Sequence, residues 1–216
     1  MKKYIYSLLV GSLFLTSCGE GEDNQAITND HSDKKIENCI YTYNAAKSEL
    51  NWTAYKFLNK TGVNGSFKTV NIDGSESSAD PKSLISSLSF SIPVSSTETN
   101  DPSRNDKIIE FFFGKLTNTE VITGKVVKLG EDGVATLSIM MNEIEKEVQG
   151  QYILDKETFT FQTEINVEEW NASSGIESLN EACEELHTDV QNGDTESKLW
   201  SEVTISFKTE LTKNCD

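Results

Sequence analysis

The chain has 216 residues, and its 35 acidic side chains outnumber its 19 lysines and arginines, which gives a net charge of −16. So acidic a chain lacks the basic patches that phosphate recognition needs, and we expect no nucleic-acid partner. No apolar run reaches the roughly 18 residues of a membrane-spanning helix, so an integral membrane protein is not expected. With only His31 and His187 present, the sequence predicts no metal site and no histidine-based catalysis.

The N-terminus is typical of a bacterial lipoprotein signal. A short basic start precedes a mostly apolar segment over residues 5–15, which has the length of a signal-peptide core. The sequence Leu-Thr-Ser-Cys then resembles a lipobox, in which a diacylglycerol is attached to the thiol of Cys18. We therefore predict a signal peptide over residues 1–17 and a disordered acidic tether over residues 18–37. The protein would be exported and lipid-anchored in the cell envelope, at the outer membrane. An ordinary secretory signal with an incidental cysteine is the alternative.

From residue 38 onward, apolar and polar residues alternate with a period of two. This alternation indicates antiparallel strands with one buried face and one wet face. We find no interior boundary and predict one domain over residues 38–216. The apolar positions are Leu50, Trp52 and Ala54; Leu88, Phe90, Ile92 and Val94; Ala135, Leu137, Ile139 and Met141; Phe159, Phe161, Ile165 and Val167; and Val203, Ile205, Phe207 and Leu211.

Two segments break the alternation. Residues 104–113 predict a short helix that ends in a run of phenylalanines. Residues 173–190 predict an amphipathic helix capped by Ser173 or Ser174. About eight strands with short helices over one end predict an all-β fold, either a closed barrel or a sandwich. An eight-stranded barrel is just wide enough to be filled by side chains or to hold one slender ligand.

Three cysteines remain if Cys18 carries a lipid. Export permits disulfides. The first and last strands of a closed antiparallel barrel are neighbours, and Cys39 opens the first strand while Cys215 closes the last. We therefore predict a Cys39–Cys215 disulfide across the barrel seam, with Cys183 as a buried thiol. The alternative is that all three are reduced.

An ordered series of motifs resembles the YceI-like family over roughly residues 40–212. The resemblance implies an exported, lipocalin-like, eight-stranded antiparallel β-barrel, with one or two short helices over an end, that binds a long isoprenoid or similar amphiphile and has no enzymatic activity. The sequence departs from the family at Lys56, often His in other branches, at Asn105, commonly Asp, and at Glu143, commonly Gly. The matching segments are residues 50–56, 63–67, 91–95, 104–113, 140–148, 170–187 and 199–203.

If the barrel holds a ligand, we expect the apolar face of its strands to line it. Lys56 shares the phase of Trp52, and we expect it near the mouth. There it either pairs with a phosphate, carboxylate or quinone oxygen of the ligand or with a nearby glutamate, or it reaches to solvent. Plain core packing is the alternative role for every apolar residue of the set. The predicted lining is Trp52, Phe67, Phe90, Ile92, Ile139, Met141, Phe161 and Ile165, with Phe112, Phe113 and Trp170 closing or gating one end.

The sequence therefore predicts an envelope lipoprotein that binds or carries an isoprenoid, a quinone or a fatty amphiphile. It needs no cofactor, it is not an enzyme, and its partners are the ligand and the membrane, with a homodimer as a further expectation. Two other functions stay open. One is a filled barrel that docks another envelope protein. The other is an enzyme that acts on a lipid through Cys183.

Overall fold

The computed structural model of the chain describes residues 38–216, so the predictions for the signal peptide, Cys18 and the tether lie outside it. Within those residues no helix is both long and apolar enough to cross a bilayer. The strands are β1 Cys39–Thr42, β2 Ser48–Lys56, β3 Thr61–Phe67, β4 Asn71–Asp73, β5 Ser89–Pro93, β6 Thr97–Glu98, β7 Val121–Leu129, β8 Val134–Met141, β9 Ile144–Asp155, β10 Thr158–Asn166, β11 Leu199–Glu210 and β12 Thr212–Cys215. The α-helices are α1 Pro81–Ser86, α2 Pro102–Lys107 and α3 Ser173–Ala182.

Ten of the strands form one antiparallel sheet in the order β4-β5-β7-β8-β9-β10-β11-β2-β3-β6. The two edge strands of this sheet, β4 and β6, are continuations of inner strands. Strand β4 continues β3, and β6 continues β5, with only a few residues between the two parts of each. Phe67 pairs with Thr97, and Ile72 pairs with Phe90. Both pairs therefore join one interrupted strand, β3–β4, to the other, β5–β6. Between these pairs, the backbone N–H of Lys68 donates to the oxygen of Ser96 at 2.8 Å.

Counted this way, eight strands pair around a ring, each with two neighbours. This confirms the prediction of an all-β, eight-stranded antiparallel barrel. The turn between β8 and β9 shows the local chemistry of its hairpins, since Asn142 and Glu143 both have positive φ, at 51° and 59°. Two such residues make the tight turn that matches strand twist. Glu143 adopts there the conformation that glycine favours.

The disulfide between Cys39 and Cys215 forms, but it does not cross the barrel seam. Strands β1 and β12 pair in a separate two-stranded ribbon, with Cys39 opposite Cys215. The barrel strands that meet at the seam are β2 and β11. The ribbon extends their pairing beyond one end of the barrel, so the bridge joins the ends of the domain rather than two barrel strands.

The predicted helices differ from the observed ones at their ends. The first begins at Pro102 because Asp101 caps it, accepting a hydrogen bond from the N–H of Arg104 at 3.2 Å. It continues as a π-helical turn, Ile108–Phe112, and a 3₁₀ turn, Phe113–Lys115. The second follows a 3₁₀ helix, Val167–Trp170, and spans only Ser173–Ala182, after which the chain forms a 3₁₀ turn, Glu184–His187. Its N-cap is Ala172, which gives no side-chain hydrogen bond, so the predicted serine cap is wrong.

Two apolar clusters mark the two ends of the barrel. We call the end beside α1 and the β1–β12 ribbon the closed end, and its cluster includes Leu84, Ile85 and Leu211. The other cluster lies beside α2 and α3 and includes Phe112, Phe113 and Trp170. Strand β8 runs from Ala135 in the first cluster to Met141 in the second. The barrel interior lies between them.

Candidate ligand-binding site

Two adjoining cavities occupy the barrel interior, one of about 330 Å³ and one of about 150 Å³. Ligand pockets in proteins span about 300–1,000 Å³, so the larger cavity falls at the lower end of that range. Six side chains line both cavities, so the two lie next to each other inside the barrel. The shared residues are Trp52, Phe67, Ile122, Met141, Ile165 and Ile205.

The interior is hollow partly because aromatic rings of the wall cover glycines on the neighbouring strand. Trp52 of β2 pairs with Gly65 of β3, and Phe90 of β5 pairs with Gly124 of β7. A Cβ atom on Gly65 would lie 2.1 Å from the indole of Trp52, and one on Gly124 would lie 2.3 Å from the ring of Phe90. These rings therefore lie against the wall, which leaves space at the barrel axis.

The smaller cavity offers an apolar surface. Thr163 is the one hydroxyl-bearing residue in its wall, and its hydroxyl donates to the backbone oxygen of Gln149 at 2.7 Å. Trp170, which is fully buried, donates its indole N–H to the oxygen of Ile139 at 3.2 Å. With these groups satisfied, the cavity suits a hydrocarbon and offers a polar group no partner.

The larger cavity opens between α2, the 3₁₀ turn Glu184–His187 and the last residue of β2, and we call this opening the mouth. Charged side chains line it. They are Lys56, Asp101, Arg104 and Lys107.

Lys56 points into this region with little contact to acidic groups. Its ammonium donates to the backbone oxygen of Leu186 at 2.7 Å and lies 4.3 Å from the ring centroid of Phe57. Burial lowers its pKa first, and the Arg104 guanidinium lowers it further, whereas Cys183 and Asp189 raise it. The lysine is half-buried, so it lines the mouth and also reaches the surface, which combines the two positions expected for it.

His187 is the buried titratable group of the mouth, with only 9% of its surface exposed. Its Nδ1 lies 3.0 Å from Oδ1 of Asn180. Since that oxygen can only accept, Nδ1 carries the proton. Burial, and then the charges of Lys56 and Lys107, lower the pKa of His187 to about 4, so the imidazole is neutral at pH 7.

The structure brings all of the predicted lining residues to the two cavities. Trp52, Phe67, Met141 and Ile165 line both. Whether these side chains contact a ligand stays a prediction. Lys56, Phe112 and Phe113 line the larger cavity only, and Phe90, Ile92, Ile139, Phe161 and Trp170 line the smaller one only.

The phenylalanines expected to close one end are buried together. The ring of Phe112 meets that of Phe113 edge-on at 4.9 Å, and Phe113 lies 6.4 Å from Phe67. The backbone of α3 comes close to them at Gly175, where a Cβ atom would lie 2.8 Å from the ring of Phe112. These aromatic rings therefore pack against α3 at Gly175, while Ile176 and Leu179 of α3 also line the larger cavity.

Sequence reasoning missed Arg104, Lys107, His187 and Asn142. The spacing of Arg104 and Lys107 was a usable signal, because residues three apart share a helix face. Asn142 had no local signal: its side-chain amide donates to the oxygen of Trp170 at 2.7 Å and accepts from the N–H of Thr117 at 2.7 Å. It thereby fixes the β8–β9 turn to the loops beside the cavity.

Within residues 38–216, no three histidine, cysteine, aspartate or glutamate side chains lie close enough together to hold one metal ion. Cys183, the thiol considered for an enzyme, is buried in the wall of the larger cavity.

Comparisons with known proteins agree on the fold. The structure resembles a polyisoprenoid binding domain from Saccharophagus degradans implicated in plant cell wall breakdown, with 14% identity, a TM-score of 0.56, and coverage of 82% of this chain and 99% of that one. It also resembles BcnA from Burkholderia cenocepacia, with 18% identity, a TM-score of 0.50, and coverage of 80% and 99%. No curated protein matches the chain. A family model described as the YceI-like domain matches residues 41–211, and this protein therefore belongs to the YceI-like domain family.

Proposed function

We propose that the barrel binds one long, flexible amphiphile, of isoprenoid, quinone or fatty-acyl type, and carries it without chemical change. The observation behind this proposal is the pair of adjoining cavities that runs from a charged mouth to an apolar interior. A filled barrel that only docks another protein is disfavoured, because a packed interior leaves few voids larger than a water molecule.

The physical driving force is the burial of the hydrocarbon tail. Each methylene group removed from water contributes about 0.8 kcal/mol. Wall side chains such as Met141 and Phe161 give adaptable contacts to a flexible chain. The related domain from Saccharophagus degradans is described as polyisoprenoid binding, which supports an isoprenoid as the first candidate ligand.

We also propose that the protein is exported and held in the cell envelope by a lipid on Cys18, at the outer membrane. The lipobox-like sequence before Cys18 supports this. The Cys39–Cys215 disulfide supports export as well, since structural disulfides persist in oxidising compartments. A homodimer stays a prediction, and light scattering of the full chain in mild detergent would test it.

The test is to identify what the protein carries. The full chain is purified gently from bacterial membranes, its intact mass is recorded under native conditions, and the bound molecules are extracted and identified. We expect one isoprenoid or acyl species per barrel. A clean protein mass that gains nothing after exposure to bacterial lipid extract would favour the protein-docking alternative.

A blocked cavity provides the matched control. Ile165→Trp places a large ring where the two cavities meet, and Ile153→Trp makes the same change at a side chain of the barrel that is 67% exposed. We expect the first variant to lose the bound species and the second to keep it. Equal retention by both folded variants would mean that the ligand lies outside the barrel.

A further inference from the structure

The charged residues at the mouth are mostly basic, although the whole protein is acidic. The chain carries 35 acidic and 19 basic side chains, yet three of the four charged residues that line the larger cavity are cations. We call these three, Lys56, Arg104 and Lys107, the mouth cations. They come from the end of β2 and from α2, two elements separated by 45 residues or more of sequence and brought together by the fold.

The mouth cations are poorly neutralised by the protein. Within residues 38–216, neither Lys56 nor Lys107 forms an ion pair, and Arg104 has only Asp101, at 3.7 Å. Asp189 acts on Lys56 from outside the cavity wall, and its carboxylate accepts hydrogen bonds from Asn192. Elsewhere, five lysines have a glutamate partner: Lys47, Lys60, Lys68, Lys82 and Lys213.

Two of the mouth cations act on one buried group, His187. Lys56 and Lys107 both lower its pKa, after burial, so their charges reach the same point of the mouth. The neutral imidazole adds no charge of its own. Three cations and Asp101 therefore leave the lining of the mouth with a net charge of +2.

A phosphate monoester carries about −1.5 to −2 at pH 7 and offers three strong acceptor oxygens. A carboxylate carries −1, and an alcohol or a quinone carries none. We propose that the head of the bound amphiphile is a phosphate group held by the mouth cations, with the tail in the apolar interior. This inference rests on the proposed function, because it requires a tail inside the barrel, and it narrows the ligand to phosphate-headed chains.

The test compares three ligands that share one isoprenoid tail and differ in their head group. Geranylgeranyl phosphate, geranylgeranoic acid and geranylgeraniol are titrated into the full chain in the same buffer, and their dissociation constants are measured by calorimetry. Hydrogen bonds to charged groups contribute more than neutral ones, so we expect the phosphate to bind at least about tenfold more tightly than the alcohol. The preference should shrink as salt is raised, because the mouth is open to solvent.

The double variant Lys56→Gln, Lys107→Gln should bring the ratio of the phosphate and alcohol affinities to about one. Lys146→Gln, at an exposed lysine of β9, should leave the ratio at its original value. A thermal melt of each variant shows that it is folded, so a changed ratio reports on the head group.

The remaining outcomes separate the two proposals. If the alcohol or the carboxylate binds as tightly as the phosphate, the phosphate inference is wrong while the carrier function stands. If none of the three probes binds, the carrier function fails and the inference fails with it. If Lys146→Gln reduced the ratio of the phosphate and alcohol affinities as much as the double variant does, the inference would also be overturned. The effect would then come from the total charge of the protein.

Discussion

The two ends of the barrel are closed in different ways. At the closed end, α1 buries Leu84 and Ile85 completely, and the β1–β12 ribbon and its disulfide cover the same side. At the mouth, short helical segments hold half-buried apolar side chains beside three cations. Within residues 38–216, Lys56 and Lys107 form no ion pair, and Arg104 pairs with Asp101 at 3.7 Å. Both ends have a buried apolar cluster, but at the mouth the cluster lies beside a cavity lined by charged side chains, so substitutions at the two ends should separate stability from the proposed binding function.

The largest stability effect should come from the disulfide at the closed end. The bridge links residues 176 apart in sequence, and in the chain-entropy model a loop of this size contributes about 5 kcal/mol to the free energy of unfolding. We expect Cys39→Ser with Cys215→Ser to lose that amount in urea unfolding. Cys183→Ser, the control, removes a thiol that forms no bridge. Equal losses in the two variants would mean that the bridge contributes little.

Leucine truncations compare the two ends directly. Leu84→Ala should cost about 3–5 kcal/mol, because it empties a fully packed site at the closed end. Leu179→Ala on α3 should cost less than half of this, since that side chain already faces the larger cavity. Urea unfolding with the disulfide intact measures both. Similar losses would show that the mouth is packed as firmly as the closed end.

Acid should lower the free energy of unfolding, because His187 at the mouth takes up a proton. Its folded pKa of about 4 lies below the ordinary 6.5, so the unfolded chain binds the proton more readily. The stability that a neutral His187 provides is fully present above pH 6.5 and is lost as pH falls towards 4, by about 2–3 kcal/mol. His187→Gln should flatten this part of the pH dependence. Parallel curves for the two proteins, measured by urea unfolding, would contradict the assignment.

We expect a smaller loss of stability from a substitution in the barrel wall between the two ends. Gly65→Ala should push the indole of Trp52 into the barrel, at a cost of about 1–3 kcal/mol, and reduce the affinity for the bound amphiphile. Gly62→Ala on the same strand is a gentler control, because its nearest contact is Cγ2 of Thr53 at 3.0 Å. Thermal melts and ligand titration test both variants. Unchanged binding in a folded Gly65→Ala variant would show that the position of Trp52 does not shape the cavity.

Much of the fold could be predicted because a barrel wall alternates strictly between inside and outside. That alternation places Phe90, Ile139 and Phe161 on the lining from sequence alone. The cysteines at the start of the first predicted strand and the end of the last one, Cys39 and Cys215, predict the bridge. The broken strands β3–β4 and β5–β6 could not be predicted, since their continuity depends on pairing across the barrel.

The charged mouth could not be predicted for a related reason. Lys56 was identified from its strand phase, but Arg104 and Lys107 lie on a helix whose orientation is set by tertiary contacts. His187 falls within the amphipathic helix predicted over residues 173–190. Its burial follows from the end of α3 at Ala182, after which a 3₁₀ turn directs the imidazole towards the barrel.

The ribbon at the closed end has a practical consequence. The backbone N–H of Asp216 donates to the oxygen of Asn38 at 3.3 Å, so the described chain enters and leaves at one point, on the side away from the mouth. A fusion partner, an affinity tag or a solid support joined to the domain at residue 38 or at residue 216 is therefore attached on the side away from the mouth. Immobilised protein should bind the proposed amphiphile as freely as protein in solution, which makes surface-based binding assays suitable for this barrel.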